Sequence, residues 1–204
     1  MSEIQVNLPQ DVANMSLPAP ELVTYYRNAE NRTFWVDFDV DESLLEFCRQ
    51  VLFINKQDED ISPDQRKPIK LFIFSNGGML DPCFSAVDVM LMSKTPIITI
   101  NAGLAMSAGM LLFLSGSERI VLRHSQGLIH SGSGGAVGTY EQAEESMKNY
   151  RRSVEAMREL VLERTSIDQK LFNKNKSKDW YLSADEMLKY GVATKIATSI
   201  DEVL

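Results

Sequence analysis

The sequence is short of the residues that many functions require. Its two cysteines, Cys48 and Cys83 among 204 residues, lie far apart with no ligand spacing, so neither a disulfide framework nor a zinc site is suggested. Two buried free thiols are expected instead. Cations are in the minority, with 21 Lys and Arg against 28 Asp and Glu and a net charge of −7. A protein whose affinity rests on phosphate contacts needs clustered Lys and Arg, so no nucleic-acid partner is expected. No uninterrupted apolar run approaches the roughly 18 residues of a membrane span. The opening stretch, MSEIQVNLPQDVANMSLPAP, has neither the basic nor the apolar region of a secretory signal. The expectation is a soluble cytoplasmic protein with no membrane partner, no metal and no cofactor.

What remains is an ordinary apolar fraction, 44%, enough for one substantial core. Residues 1–30 read as an N-terminal arm, polar and without period to about Pro20, and residues 31–204 as one domain. TFWVDFDV, Thr33 to Val40, alternates as a strand exposed on one face does. Asp41 to Lys56 changes to helical spacing. After a charged connection, IKLFIFS from Ile69 has the continuous apolar character of a strand buried on both faces of a parallel sheet. It ends in Asn76-Gly77-Gly78, and Asp81 and Pro82 then open a helix. The unit recurs, with a strand from Pro96 to Ala102, a turn from Gly103 to Met106 and a helix from Ser107 to Ser115. Alternation of this kind predicts an α/β fold with a mostly parallel sheet, whose loops at the carboxyl ends of the strands gather on one edge. The Asn76-Gly77-Gly78 turn and the Ser107 turn are therefore expected to be neighbours.

Two short strands, ERIVL and GLIHS, follow, and then the glycine-rich SGSGGAVG, Ser131 to Gly138, a mobile loop or an edge ribbon able to pair with an extended peptide. Thr139 to Thr165 is helical throughout, with Thr139 and Gln142 spaced as a capping box. It is long and sparsely apolar. Met147, Tyr150, Val154, Met157, Leu160 and Val161 form a stripe suited to packing against a second subunit. A helix near Asp168 to Lys174, another from Ser183 to Tyr190, and a strand at Thr194 to Ala197 complete the chain.

Within GLAMSAGM, Gly103 to Met110, Ser107 sits where a strand gives way to a helix. Small neighbours leave room for a carbonyl, and unpaired helix N–H groups face it. The residue types are equally those of a helix N-cap. There are two histidines to serve as a base: His124, in an apparent surface turn, and His130, at a strand end beside the glycine-rich loop.

SNGG at Ser75 to Gly78, GLAMSAGM around Ser107, GLIHSGSGG around His130 and DWYLSADEMLKYGVATKI at Asp179 to Ile196 resemble, in order and spacing, the motifs of the ClpP family, the proteolytic subunit of the Clp protease. The resemblance covers Asn31 to Ala197. It implies the ClpP/crotonase-like spiral of repeated βαβ-type units with a long protruding helix. It also implies a serine endopeptidase cleaving polypeptide substrates inside stacked heptameric rings, a homo-oligomer up to a tetradecamer, fed by an AAA+ unfoldase. Carried over by position, Ser107 is the nucleophile, His130 the general base, and the N–H groups of Gly78 and Ala108 the oxyanion hole. Gly77, Met79, Gly134 and Gly135 border the substrate groove. The third triad residue of the family is an aspartate. Counted back from Tyr181-Leu182-Ser183 it falls on Asn175, and counted forward from Ser166 on Asn173, with Asp179 and Asp168 as alternatives. An asparagine would hold the imidazole without offering charge. That departure leaves open a weak peptidase or a catalytically silent subunit of a mixed ring. A crotonase-like acyl-CoA enzyme shares the fold but needs neither Ser107 nor His130.

Overall fold

The computed structural model describes residues 19–204. They fall into a unit ending at Asn31 and a unit from Arg32 to Leu204. In the first, Pro20–Glu30 forms helix α1, so the last part of the expected arm is a regular element; the rest of that arm, residues 1–18, lies outside the described residues. Proline in the first turn, Glu21 beside it and Arg27 in the last turn all suit a helix and its dipole.

The second unit runs β1 (Thr33–Val36), α2 (Leu44–Gln57), β2 (Ile69–Ser75), α3 (Leu80–Met92), β3 (Ile97–Met106), α4 (Ala108–Leu114), β4 (Glu118–Val121), β5 (Gln126–Ile129), α5 (Tyr140–Arg164), α6 (Gln169–Asn175), β6 (Trp180–Ser183), α7 (Ala184–Lys189) and β7 (Lys195–Ile196). This is the expected α/β architecture. The parallel sheet has the order β1-β2-β3-β4-β7, with β5 also on β3 and β6 antiparallel to β5. No helix among the described residues is long and apolar enough to cross a membrane.

Three expectations change. The first strand stops at Val36, and only a lone bridge joins Val40 to Gly78. WYLS, assigned to neither helix nor strand from the sequence, is strand β6. The turn expected over Gly103 to Met106 is the second half of β3. There β3 changes partner: Ile98 to Asn101 pair with β4, and Leu104 to Met106 pair with β5. The change is made at Gly103, whose φ of 156° goes with an N–H bonded to the Asn101 side chain at 3.0 Å. Asn101 is fully buried and uses its amide to hold the Gln126 carbonyl at the start of β5.

The core lies between the sheet and α2, α3 and α4. Leu44, Ile69, Leu71, Ile73, Ile100 and Phe113 are completely or almost completely buried, each contributing about 1.5–3 kcal/mol. All seven residues of α4 are buried. The long α5 carries the expected Thr139–Gln142 capping box, yet its buried residues are Met157, Leu160 and Val161, all in its C-terminal half. Both cysteines are free and buried, and burial pushes the Cys83 thiol up to about 12.

One ion pair ties the entry of β1 to the end of α2. Arg32 donates to both Asp58 oxygens at 2.7 Å, and Thr95 donates to the same carboxylate at 3.0 Å. The Arg32 guanidinium holds the Asp58 carboxyl below its ordinary 3.8, against the opposing effect of burial. Because the folded value is depressed, this stabilisation is complete above the unfolded value and is lost as pH falls through the folded one. Asp58→Asn is expected to lower stability by about 3 kcal/mol in urea unfolding at neutral pH. The difference from wild type should shrink as the pH falls below the ordinary carboxylate value.

Candidate active site

Ser107, His130 and Asp179 each adjoin the end of a strand, and the strands are neighbours. The parallel register Met106↔Leu128 places Ser107, next after β3, beside the last residue of β5. The antiparallel register Ile129↔Trp180 places Asp179, just before β6, opposite His130, just after β5. The side chains meet accordingly. His130 Nε2 lies 2.7 Å from Ser107 Oγ, and His130 Nδ1 lies 3.4 Å from Asp179 Oδ1. The first is a full hydrogen bond; the second is a looser contact, longer than the usual hydrogen-bond range. The Asp179 side chain is 58% exposed, that of His130 20%.

Ser107 opens α4 but does not cap it. Its side chain makes no cap hydrogen bond and goes to His130 instead. Its backbone has φ 54° and ψ −121°, a positive φ that costs a non-glycine residue about 1–3 kcal/mol. The conformation is held from three sides. The Ser107 N–H donates to the Leu128 carbonyl at 3.1 Å, continuing the β3–β5 ladder. Gly77 presses from above, since a Cβ there would fall 2.7 Å from Ser107 Cβ and 2.9 Å from Ala108 N. From below, α4 is gripped at its C-terminal end. Arg164 donates to the Leu114 and Gly116 carbonyls at 3.1 and 2.7 Å, and Arg119 reaches Gly116 at 3.3 Å. Burial, then the Arg164 charge, lowers the Arg119 pKa.

The two glycine turns are neighbours, as their topology requires. Ser75 Oγ donates to the Phe38 carbonyl and accepts the Gly77 N–H. The Gly77 carbonyl accepts from Val40, and Met79 N–H donates back to the Val40 carbonyl, both at 2.7 Å. This exchange engages the residues on either side of Gly78. Among the described residues neither the Gly78 nor the Ala108 N–H has a backbone acceptor.

One hollow touches the pair on its apolar side, and another lies nearby along the glycine ribbon. A small apolar pocket lies beside Ser107 and His130 and is lined by Met110, Leu128, Val154, Met157, Val161 and Phe172. A wider groove passes Gly78, Met79, Asp81, Gly134, Gly135 and Tyr150. Met79, Gly134 and Gly135 line this groove, while Gly77 is buried against Ser107.

The candidates for the third member separate clearly. Asn175 is buried, and its amide donates to the Leu171 carbonyl within α6. Asn173 is exposed. Asp168 is the N-cap of α6 and accepts from Leu171 N–H at 2.7 Å. It is Asp179, not Asn175, that faces His130. The counts from flanking motifs missed this because β6 was not recognised; antiparallel pairing of GLI with WYL would have put Asp179 there. His124 is exposed and takes no part.

The Clp protease family model matches residues 23–200. The chain belongs to the Clp protease family. It is 32% identical over 139 residues to an ATP-dependent Clp protease proteolytic subunit 2 of Treponema denticola, covering 67% of this chain and 70% of that one. It is 27% identical to the protein of the same description from Treponema pallidum, over 86% of this chain and 87% of the relative. It is 29% identical to an ATP-dependent Clp protease proteolytic subunit of Leuconostoc citreum, over 86% and 88%.

The arrangement predicts that a fluorophosphonate probe labels Ser107. Asp179→Ala should slow that labelling by about 10²–10⁴, the range set by loss of a triad acid elsewhere. Asn175→Ala should cost about 1 kcal/mol of stability and leave the labelling rate within about three-fold.

Proposed function

We propose that this chain is a serine endopeptidase subunit of a compartmentalised Clp-type protease acting on unfolded polypeptides. The observation that carries the reading is the 2.7 Å contact between Ser107 Oγ and His130 Nε2 on a serine whose strained backbone turns its side chain away from capping. In the proposed mechanism His130 takes the Ser107 proton as Oγ attacks the scissile carbonyl. The imidazolium that forms is stabilised by Asp179 on its other face, and the developing oxyanion is met by the Gly78 and Ala108 N–H groups. His130 then returns the proton to the leaving amine, and water repeats the sequence on the acyl-enzyme. A carboxylate at 3.4 Å from Nδ1 favours an active subunit over a silent one. A crotonase-like activity would leave the Ser107–His130 pair without a purpose.

The apolar pocket beside Ser107 suits an apolar side chain on the acyl side of the cleaved bond. The groove past Gly134 and Gly135 suits an extended peptide pairing with the glycine ribbon. Assembly into rings is supported by what one subunit leaves uncovered. Trp35 and Phe74 on the sheet, Phe53 and Met92 are exposed, apolar side chains that association would cover. A heptameric or tetradecameric assembly, an AAA+ unfoldase as partner and a cytoplasmic setting complete the proposal. The relatives' description as ATP-dependent supports the unfoldase, and two free thiols suit the compartment.

Wild type should hydrolyse an internally quenched peptide with an apolar residue before the cleaved bond, and Ser107→Ala should abolish this. Absence of both hydrolysis and labelling by wild type would refute the peptidase reading. Sedimentation velocity at micromolar concentration should show a ring-sized species; a monomer alone contradicts the assembly.

A further inference from the structure

The glycines of the ribbon after His130 answer to a residue on α5. A side chain at Gly132 would bring its Cβ within 2.6 Å of the Tyr150 hydroxyl, and one at Gly134 within 3.2 Å of the Tyr150 ring, whereas nothing lies within 4 Å of a Cβ at Gly135. Tyr150 therefore occupies the space that side chains at 132 and 134 would fill. Its hydroxyl donates to the Ser131 carbonyl at 3.3 Å, at the residue adjoining His130. From the other side, the Ser131 hydroxyl donates to the Lys176 carbonyl at 2.5 Å, in the segment leading to Asp179. The root of the ribbon is fastened twice, once to α5 and once to the acid-bearing segment.

A glycine-rich ribbon has no stiffness of its own. To pair with a peptide it must present its N–H and C=O groups at strand spacing, about 4.8 Å from the bound chain. Half-buried against the ribbon and lining the groove beneath it, the phenol supplies what the glycines lack. We propose that Tyr150 is a positioning residue that sets the height of the Ser131–Gly135 ribbon over the groove, and so gives the site its selectivity for long extended peptides over short ones. The proposal rests on the peptidase reading. Short substrates are held by Ser107 and the apolar pocket; long ones also need the ribbon in place.

The test compares wild type with Tyr150→Phe and Tyr150→Ala in the assembled protein. Two fluorogenic substrates share one apolar residue at the cleaved bond, an acylated dipeptide and an internally quenched decapeptide. The ratio of kcat/KM for the decapeptide to that for the dipeptide should fall about five-fold in Tyr150→Phe, mainly through KM of the decapeptide, and further in Tyr150→Ala. A ratio unchanged in both variants overturns the proposal, including the case where both substrates slow by the same factor, since a general structural role produces that. Wild type that cleaves neither substrate and takes no fluorophosphonate overturns the peptidase reading and this proposal with it. Labelled, active wild type with an unchanged ratio in the variants overturns the proposal alone.

Discussion

Strand register is the constraint on which the rest depends. The three side chains that meet at the site come from distant parts of the sequence, and each is the residue next to a strand end. The pairs Met106↔Leu128 and Ile129↔Trp180 align those ends along one edge. A slip of one residue in either ladder would turn a member of the set to the opposite face. The ladders are guarded against such a slip. Asn101 fixes the start of β5 through the Gln126 carbonyl, and Ser125 donates to the Asn101 carbonyl at 2.7 Å. Gly127 is locked between Met110 and Met187, where a Cβ would come within 2.3 and 2.9 Å of their side chains.

The positive φ of Ser107 shows how local strain and global packing balance. Its cost of about 1–3 kcal/mol is no more than the burial of one large side chain is worth, and α4 buries Met110, Leu111, Leu112, Phe113 and Leu114 together. The helix is short, so its unpaired ends are close to each other and both are put to use. At one end the Ala108 N–H has no backbone acceptor. At the other, two arginines take the carbonyls, favourable partners for the negative end of the dipole. Their mutual repulsion is tolerated because the same guanidiniums satisfy backbone carbonyls, Arg119 those of Gly191 and Val192 as well.

Much of this was legible in the sequence. The alternation of apolar runs with helical spacing gave the α/β class, the capping box marked the start of α5, and small residues around Ser107 marked a turn where a carbonyl could approach. What escaped was long-range pairing. The β3 strand continues through Gly103 because β5, in a later part of the chain, offers it a second partner; glycine alone reads as a stop. The third residue was counted to Asn175, with Asp179 among the alternatives, because distance along the chain was used where pairing across the sheet brings Asp179 beside His130. Asn175 is itself diverted to a carbonyl of its own helix. The role of Gly77 was misjudged for a similar reason. Its closeness to Ser107 is set by the packing of β2 against α4, where Gly109 too would bring a Cβ within 3.2 Å of the Ser75 carbonyl.

The order of the three residues along the chain has a bearing on synthesis. Ser107 emerges from the ribosome well before its base, and its strained backbone is held partly by the Leu128 carbonyl, which arrives with β5. The acid comes later still, on a strand whose recorded sheet pairing is to β5. A growing chain therefore carries a serine with no base, no carboxylate and no enforced geometry until most of the domain has been made. The proposed hydrolytic competence is a property of the finished sheet, and the nascent protein passes through translation without it.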